Sequence, residues 1–212
     1  MRFYYDYLTT FEYRILPLGM EGYGFLTLGW IIYFAIHSVL AADKVKNFFK
    51  RLLRGGFRFY RIFYSLISTV GLMGLLVLNA VIGGEFLLNP HGVVRYLSLM
   101  LATFGVIIVS RAFKEHDALS FVGLRQEEMK FSRTGILNYI RHPIYSGTIL
   151  IVIGFFLFTP KTATLVSTLC ILGYLPIGIY LEEKKLIQQY GEKYIQYKKE
   201  VPSLIPKLFK QS

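Results

Sequence analysis

Residues 141–147, which read Arg-His-Pro-Ile-Tyr-Ser-Gly, are the first segment whose residue types could do chemistry. Pro143 suits the first turn of a helix, where an N–H group has no intrahelical acceptor. A helix N-terminus presents free N–H groups and the positive end of its dipole to an anion. Arg141 and His142 would add charge-assisted hydrogen bonds to a carboxylate or phosphate. The segment therefore predicts an anion-binding helix start. The alternative is an ordinary helix start at which the two basic side chains extend to lipid headgroups.

The second such segment is a pair of adjacent carboxylates, Glu182 and Glu183, which directly follows an apolar stretch. Carboxylates at the edge of a membrane-spanning segment are costly to desolvate. Neighbouring helix positions point about 100° apart, so we expect one of the two to face other helices. The alternative is a charged shoulder exposed to solvent, which suits the following Lys184 and Lys185 better.

A few polar residues lie within or beside apolar stretches. His37 and Ser38 are predicted to pack against neighbouring helices, and a role in a site is the alternative. Asn79 and Glu85 are interpreted as residues at the membrane interface.

Several familiar site patterns do not occur in the sequence. It contains no glycine-rich nucleotide loop, no His-Glu-x-x-His and no Gly-x-Ser-x-Gly pattern. One cysteine, Cys170, cannot form an internal disulfide, and no zinc or iron–sulfur spacing is present. We therefore expect neither a Rossmann-type domain nor a bound metal.

The elements that must position these residues are apolar helices. Of the 212 residues, 54% are hydrophobic and only 17% are charged, whereas soluble domains carry about 25% charged residues. The predicted fold class is all-α, a polytopic membrane helix bundle with about five transmembrane helices, a cytoplasmic loop and a C-terminal amphipathic helix. The five apolar stretches run over about 23–42, 60–83, 93–110, 143–159 and 162–181.

The 24 lysine and arginine residues fall mostly on one side of such a bundle. Segments 43–61, 111–141 and 182–212 hold 20 of them, and the opposite side holds four. The positive-inside rule then puts the N-terminus outside and the C-terminus in the cytoplasm, at the plasma (inner) membrane if the source is bacterial. This distribution accounts for the net charge of +11 without a nucleic-acid partner.

The C-terminal tail carries large side chains at spacings of three and four, which predicts an amphipathic helix. Gly191 is expected to weaken its middle, and Pro202 and Pro206 to end it. The side chains in question are Leu186, Tyr190, Tyr194, Tyr197 and Val201.

The C-terminal half resembles the isoprenylcysteine carboxyl methyltransferase-like membrane family. The resemblance rests on four motifs in order: Arg-His-Pro-x-Tyr-x-Gly at 141–147, Glu-Glu-x-x-Leu at 182–186, Tyr-Gly-x-x-Tyr-x-x-Tyr at 190–197 and Val-Pro-x-x-Ile-Pro at 201–206. The N-terminal half is similar to the NnrU and methanethiol S-methyltransferase-like branch, through His37-Ser38, a basic loop and Tyr60-Arg61.

The resemblance implies one integral membrane methyltransferase-like domain over residues 1–212, with a three-span part at 22–112 and a cofactor-binding part at 131–206. It implies S-adenosylmethionine as cofactor, and as partners membrane lipid and a lipophilic or small thiol or carboxylate acceptor. Arg141 and Glu183 are the candidate catalytic residues, and His142 is the alternative to Glu183 as the base that a thiol requires. The implied cofactor-binding residues are Phe131, Ser132, Gly135, His142, Pro143, Ile144, Tyr145 and Glu182.

Two departures from the family pattern bear on the acceptor. The carboxyl methyltransferases carry an arginine where this chain has Gly178 and a tyrosine where it has Leu137, which argues against isoprenylcysteine. Two other functions stay open: a non-enzymatic membrane protein of the NnrU or nurim-like kind, and a sterol-reductase-like NADPH enzyme. Such reductases typically have an asparagine in place of His142, so the reductase is the weaker alternative.

Overall fold

The computed structural model describes residues 20–115 and 133–206 of the protein. These residues form seven α-helices, so the prediction of an all-α chain is confirmed. The helices are α1 (Met20–Ala41), α2 (Asp43–Leu53), α3 (Phe57–Ile82), α4 (Val93–Glu115), α5 (Pro143–Phe158), α6 (Thr162–Tyr190) and α7 (Glu192–Glu200).

Four of these helices, α1, α3, α4 and α6, are long and apolar enough to cross a membrane. The apolar helix α5 has only 16 residues, which span about 24 Å against a hydrocarbon core of about 30 Å. Large apolar side chains such as Leu28, Val70 and Phe104 are more than half exposed on the helix surfaces. Extended apolar surface of this kind belongs against lipid. The chain is an integral membrane protein with about five membrane helices, as predicted.

The helices differ from the predicted spans mainly at their polar ends. Helix α4 continues to Glu115 and α6 to Tyr190, well past the predicted ends at about 110 and 181. The segment predicted as a basic loop after the first span is instead the helix α2. Its apolar residues recur at helical spacing, which gives this basic segment one apolar side and favours a helix. They are Val45, Phe48, Phe49 and Leu52.

The predicted tail helix is in fact two helices. Gly191 separates α6 from α7 with φ +58°, a left-handed conformation that glycine adopts without steric cost. The turn brings together Tyr194, Tyr197 and Val201, which form a small buried cluster. As predicted, the helical part of the tail ends before Pro202.

The described residues divide into two compact units. The first unit comprises 20–95 with 155–171, and the Trp30 side chain lies in its core among Leu26, Leu75 and Ala163. The tryptophan N–H donates a hydrogen bond to Ser167 Oγ at 2.9 Å. Apolar packing around Trp30 and the hydrogen bond of its indole N–H therefore help to hold this unit together.

Asn79 belongs to the same buried set of polar groups. Ser167 donates to Asn79 Oδ1 at 2.8 Å, and the Asn79 amide donates to Thr164 Oγ1 at 3.4 Å. The residue is only 5% exposed. Partners from α6 therefore satisfy the amide inside the protein, and the place of Asn79 at the membrane interface stays a prediction.

His37 contacts the neighbouring helix α3. Its Nε2 atom lies 3.2 Å from the Tyr64 hydroxyl, and its Nδ1 atom lies 3.2 Å from Ser68 Oγ. This is the packing contact that the sequence predicts for a polar side chain within an apolar span.

The second unit comprises 96–154 with 172–206 of the described residues. Within it, α4 and α5 approach so closely that a Cβ on Gly147 would lie 2.7 Å from the Gly105 carbonyl oxygen and 2.6 Å from a Val109 methyl. A Cβ on Gly154 would likewise lie 2.8 Å from the Ser98 carbonyl oxygen. Small residues let membrane helices pack backbone to backbone. This packing anchors α5, whose first residues belong to the predicted anion-binding segment.

We expect Gly147→Ala to destabilise the protein, because the added methyl would overlap backbone atoms of α4. Overpacking of this kind costs about 1–3 kcal/mol. The matched control is Gly173→Ala in α6, where a Cβ meets no atom within 4 Å and alanine favours a helix by up to about 1 kcal/mol. Thermal unfolding in detergent compares the two variants. A Gly147→Ala protein as stable as the wild type would contradict the close packing.

Candidate functional site

A C-terminal strap, residues 201–206, holds the start of α5. The backbone N–H groups of Arg141 and His142 donate to the carbonyl oxygens of Pro202 and Ser203 at 2.9 and 3.0 Å. Ser146 Oγ, one turn into α5, donates to the Leu204 carbonyl at 2.6 Å. Strap carbonyls thus accept hydrogen bonds from N–H groups at the helix start that lack intrahelical acceptors. The Val-Pro-x-x-Ile-Pro motif accordingly has a structural part in building the site.

Helix α7 fastens the segment that precedes α5. The buried Tyr197 hydroxyl donates to the carbonyl oxygen of Leu137 at 2.7 Å. Burial raises the pKa of Tyr197 to about 12, so the hydroxyl keeps its proton and remains a donor. Leu137 lies in the 3₁₀ turn Gly135–Asn138, which starts at a glycine with φ +49°.

Glu183 accepts hydrogen bonds from three basic side chains. Arg141 Nη2 lies 2.7 Å and His142 Nε2 3.2 Å from its Oε1 atom, and Lys198 Nζ lies 2.5 Å from Oε2. The side chain of Glu183 is 10% exposed and that of Arg141 8% exposed. These four residues are called the Glu183 cluster below. A buried carboxylate of this kind requires such partners, because an unpaired buried charge is very costly.

The cluster keeps Glu183 ionised. Glu183 lies beyond the apolar part of α6, which ends at Leu181. Burial by itself raises the pKa of the Glu183 carboxyl, but hydrogen bonds from Lys198, His142 and Arg141 outweigh this effect and lower the pKa to about 2. The carboxylate is therefore a very weak base at neutral pH.

Arg141 also ties the cluster to the tail. Its Nη1 atom donates to the carbonyl oxygens of Lys198 and Val201 at 2.8 and 2.5 Å. Its Nε atom is buried and has no hydrogen-bond partner among the described residues. The two terminal nitrogens of the guanidinium thus join the start of α5 to α6, α7 and the strap, and the Nε–H keeps no partner among the described residues.

Glu182 stands next to the cluster without belonging to it. Its side chain is 44% exposed, and its Oε2 atom lies 3.8 Å from His142 Nδ1, which is too far for a hydrogen bond. The two adjacent carboxylates have therefore separated as their helix positions predict: Glu183 is buried, and Glu182 is accessible.

The hydrogen bond to Glu183 also determines which ring nitrogen of a neutral His142 carries the proton. An ionised carboxylate can only accept, so the imidazole Nε2 must donate to it. In neutral imidazole the other nitrogen then carries a lone pair. This nitrogen, Nδ1, is the one that faces Glu182.

Tyr145 lies edge-on to the His142 ring, with ring centroids 5.6 Å apart. Its hydroxyl oxygen would be 3.2 Å from a Cβ placed on Gly178, and a carbon of the Tyr174 ring would be 3.5 Å away. Gly178 therefore makes room for two tyrosines. Beside Tyr145, Ile144 is partly buried in the same first turn of α5.

Most of the predicted site residues thus meet where α5 begins and α6 loses its apolar character. Phe131 and Ser132 lie outside the described residues, and Gly135 is an exposed residue of the 3₁₀ turn. The assigned roles in binding and catalysis stay predictions. Sequence reasoning missed Lys198, which no motif distinguishes from the other lysines of the tail. The residues brought together are Arg141, His142, Pro143, Ile144, Tyr145, Glu182 and Glu183.

Within residues 20–115 and 133–206, no group of three or more His, Cys, Asp or Glu side chains could hold a metal ion.

Comparison with known proteins identifies the family. The NnrU protein family matches residues 25–207. A methanethiol S-methyltransferase of Crocosphaera subtropica is 32% identical over 209 residues, which cover 88% of this chain and 76% of the relative. A methanethiol S-methyltransferase of Mycobacterium tuberculosis is 28% identical and covers 80% of this chain and 72% of the relative.

A relative that matches a shorter part of the chain carries the second name that the motifs suggest. A protein-S-isoprenylcysteine O-methyltransferase of Schizosaccharomyces pombe is 37% identical over 105 residues, which cover 49% of this chain and 39% of the relative. No solved structure matches the chain. These names favour a methyltransferase over a non-enzymatic membrane protein or a reductase. The chain belongs to the NnrU family, and its relatives identify it as an integral membrane methyltransferase.

Proposed function

We propose that the chain transfers a methyl group from S-adenosylmethionine to a small thiol. The observation that carries the proposal is the meeting of accessible Glu182 with His142 beside the buried Glu183 cluster, 3.8 Å apart between Oε2 and Nδ1. The methanethiol S-methyltransferases among the relatives support a thiol acceptor. When bound, S-adenosylmethionine would supply its sulfonium methyl group: the bond between that sulfur and the methyl carbon breaks as the thiol sulfur bonds the methyl, which gives a thioether, S-adenosylhomocysteine and a proton.

The groups left over by the Glu183 cluster fit the charged end of this cofactor. The accessible carboxylate of Glu182 suits an ammonium group or ribose hydroxyls. The buried Nε–H of Arg141, which lacks a partner among the described residues, is an unused donor for a carboxylate. In the first turn of α5, the N–H of Ile144 has no intrahelical acceptor either. The remaining proposed contacts are His142, Pro143 and Tyr145, with Phe131, Ser132 and Gly135 from the preceding segment.

We assign the removal of the thiol proton to His142 and not to Glu183. Nδ1 of neutral His142 carries a lone pair, whereas both oxygens of Glu183 already accept hydrogen bonds. A carboxylate with a pKa of about 2 also has little affinity for a proton at neutral pH. Glu183 and Arg141 then act as positioning residues: Glu183 orients the imidazole, and Arg141 holds Glu183.

The surroundings of Gly178 support a neutral acceptor. No side chain at this position supplies a positive charge for an acceptor carboxylate, and Tyr145 and Tyr174 lie against the glycine instead. A small apolar thiol requires no such charge, whereas a carboxylate acceptor would need a cationic partner for its negative charge.

The basic segments support an orientation in which this site faces the cytoplasm. Arg141, Glu183 and α7 belong to the segments that hold 20 of the 24 basic residues. With the N-terminus outside, these segments lie on the side favoured by the positive-inside rule. We propose the same orientation for a bacterial plasma membrane.

Glu182→Gln is expected to weaken binding of S-adenosylmethionine by about 10- to 100-fold, since a charge-assisted hydrogen bond contributes about 1.5–3 kcal/mol. Calorimetric titration of the purified protein in detergent measures this affinity. The matched control is Glu192→Gln, an exposed glutamate at the start of α7, which should bind as the wild type does. Equal affinities for all three proteins would contradict the placement of the cofactor at Glu182.

The acceptor is tested separately. Purified wild-type protein with S-adenosylmethionine and methanethiol should release dimethyl sulfide, which gas chromatography of the headspace detects. An S-farnesylated cysteine with a free carboxyl group serves as the competing acceptor. Methylation of the carboxyl acceptor without thioether formation would overturn the thiol assignment and leave a membrane methyltransferase of another specificity.

A further inference from the structure

Helix α2 lies at a membrane surface between two spanning helices. Ala42, whose extended backbone has φ −68° and ψ 138°, separates it from α1, and α3 follows it in the chain. Its 11 residues reach about 17 Å, too short for a hydrocarbon core of about 30 Å, and several of them are basic. Because charged side chains are costly within hydrocarbon, α2 belongs at the interface.

The inner side of α2 packs against its neighbours. The Phe49 ring stacks on the Tyr60 ring of α3, with ring centroids 4.7 Å apart. Tyr60 is only 4% exposed, and its hydroxyl donates to the Leu40 carbonyl oxygen of α1 at 2.6 Å. These contacts determine which side of α2 faces the protein, and therefore which side faces outward.

The outward side of α2 combines apolar and basic residues. Phe48 and Leu52 are 61% and 63% exposed. Lys44 and Arg51 are also exposed, and they lie about 40° and 60° from Phe48 around the helix, since successive residues are about 100° apart. These four residues are called the outer strip below.

The two cations of the outer strip are available to a partner. Neither the Lys44 ammonium nor the Arg51 guanidinium makes a hydrogen bond or an ion pair with another described residue. The acidic residue of α2, Asp43, belongs to the first turn, where a carboxylate suits the positive end of the helix dipole. The outer strip therefore presents positive charge beside exposed hydrocarbon.

An anionic phospholipid matches both properties. A helix with basic residues on its polar side and large apolar residues beside them lies in the plane of the membrane interface, and anionic lipid strengthens its binding. A second copy of the chain fits less well, because a symmetric contact through the outer strip would place Lys44 and Arg51 of the two copies against each other.

We propose that the outer strip of α2 binds anionic phospholipid. Phe48 and Leu52 enter the acyl-chain region, and Lys44 and Arg51 contact the negatively charged headgroups above it. The inference does not rest on the proposed methyl transfer, because α2 belongs to the first unit and the Glu183 cluster to the second.

Native mass spectrometry of the delipidated full chain in detergent tests the proposal, with phosphatidylglycerol or phosphatidylcholine added. We expect the wild type to bind phosphatidylglycerol more tightly, and Lys44→Gln and Arg51→Gln each to lower this affinity about fivefold. The charge-preserving variants Lys44→Arg and Arg51→Lys should keep the wild-type affinity. Phe48→Ser should weaken the binding of both lipids, because both have acyl chains.

The matched control is Lys50→Gln, which removes the same charge from the same helix. Lys50 is exposed, but it lies about 160° from Phe48 and from Leu52 around the helix, so this variant should bind phosphatidylglycerol as the wild type does. Equal binding of the two lipids by the wild type, or an equal loss in Lys50→Gln, would overturn the proposal. Displacement of phosphatidylglycerol by excess inorganic phosphate, or a dimer that Phe48→Ser converts to a monomer, would assign the outer strip to another occupant and would also overturn it.

Discussion

Replacing Glu183 with alanine is expected to lower the free energy of unfolding by about 3–5 kcal/mol, the usual effect of removing one partner from a buried ion pair. The variant leaves Arg141, which is 8% exposed at its side chain, without its carboxylate, and it releases Lys198 and His142 as well. The start of α5 would then lose the link to α7 that runs through Glu183 and the Lys198 side chain. Unfolding in a mixed-micelle denaturant titration measures the loss.

The neighbouring carboxylate is the control for this experiment. Glu182→Ala removes a side chain that is 44% exposed and makes no hydrogen bond to His142 at 3.8 Å. Exposed charges of this kind contribute about 0–1 kcal/mol, so its stability should stay close to that of the wild type. Equal destabilisation by both variants would show that the buried cluster does not hold the site together.

The Glu183 carboxylate also makes the stability of the wild-type protein depend on pH in the acidic range. The pKa of Glu183 falls from an ordinary value of 4.5 to about 2 in the folded protein. A group with a lowered folded-state pKa stabilises the protein fully above its unfolded pKa and loses this contribution as the pH falls through the folded pKa. Stability should therefore decline between about pH 4.5 and pH 2, and the Glu183→Ala variant should lack this part of the decline.

His142→Gln is expected to lower kcat for an aliphatic thiol by about 10²- to 10⁴-fold, the usual contribution of a general base. The lone pair of Nδ1 is lost, whereas the side-chain amide can still donate to Glu183. The KM for the thiol should change much less than kcat.

An acceptor that is already ionised provides the internal control. A nitro-substituted thiophenol is a thiolate at neutral pH and needs no base, so His142→Gln should slow its methylation only slightly. A purely structural role for His142 predicts the same loss with both acceptors. That result would contradict the assignment of His142 as the base and would leave the cofactor site at Glu182 unaffected.

The positions of the helices depend on local features that a sequence contains. Apolar runs of about 20 residues predict spans because each run must satisfy its own backbone hydrogen bonds in lipid. Pro143 marks the start of α5, and Gly191 marks the break before α7, because each residue constrains its own backbone. Even the separation of Glu182 from Glu183 follows from the angle between adjacent helix positions.

The sequence by itself therefore determined the class of protein, its membrane helices and the segments that could form a site. Only the tertiary structure decided which carboxylate is buried, because this depends on partners such as Arg141 and Lys198 that are 42 and 15 residues away. It also placed Asn79 in the core through Ser167, 88 residues further along the chain. Pairings between residues so far apart depend on how whole helices pack, and local residue patterns do not encode that packing.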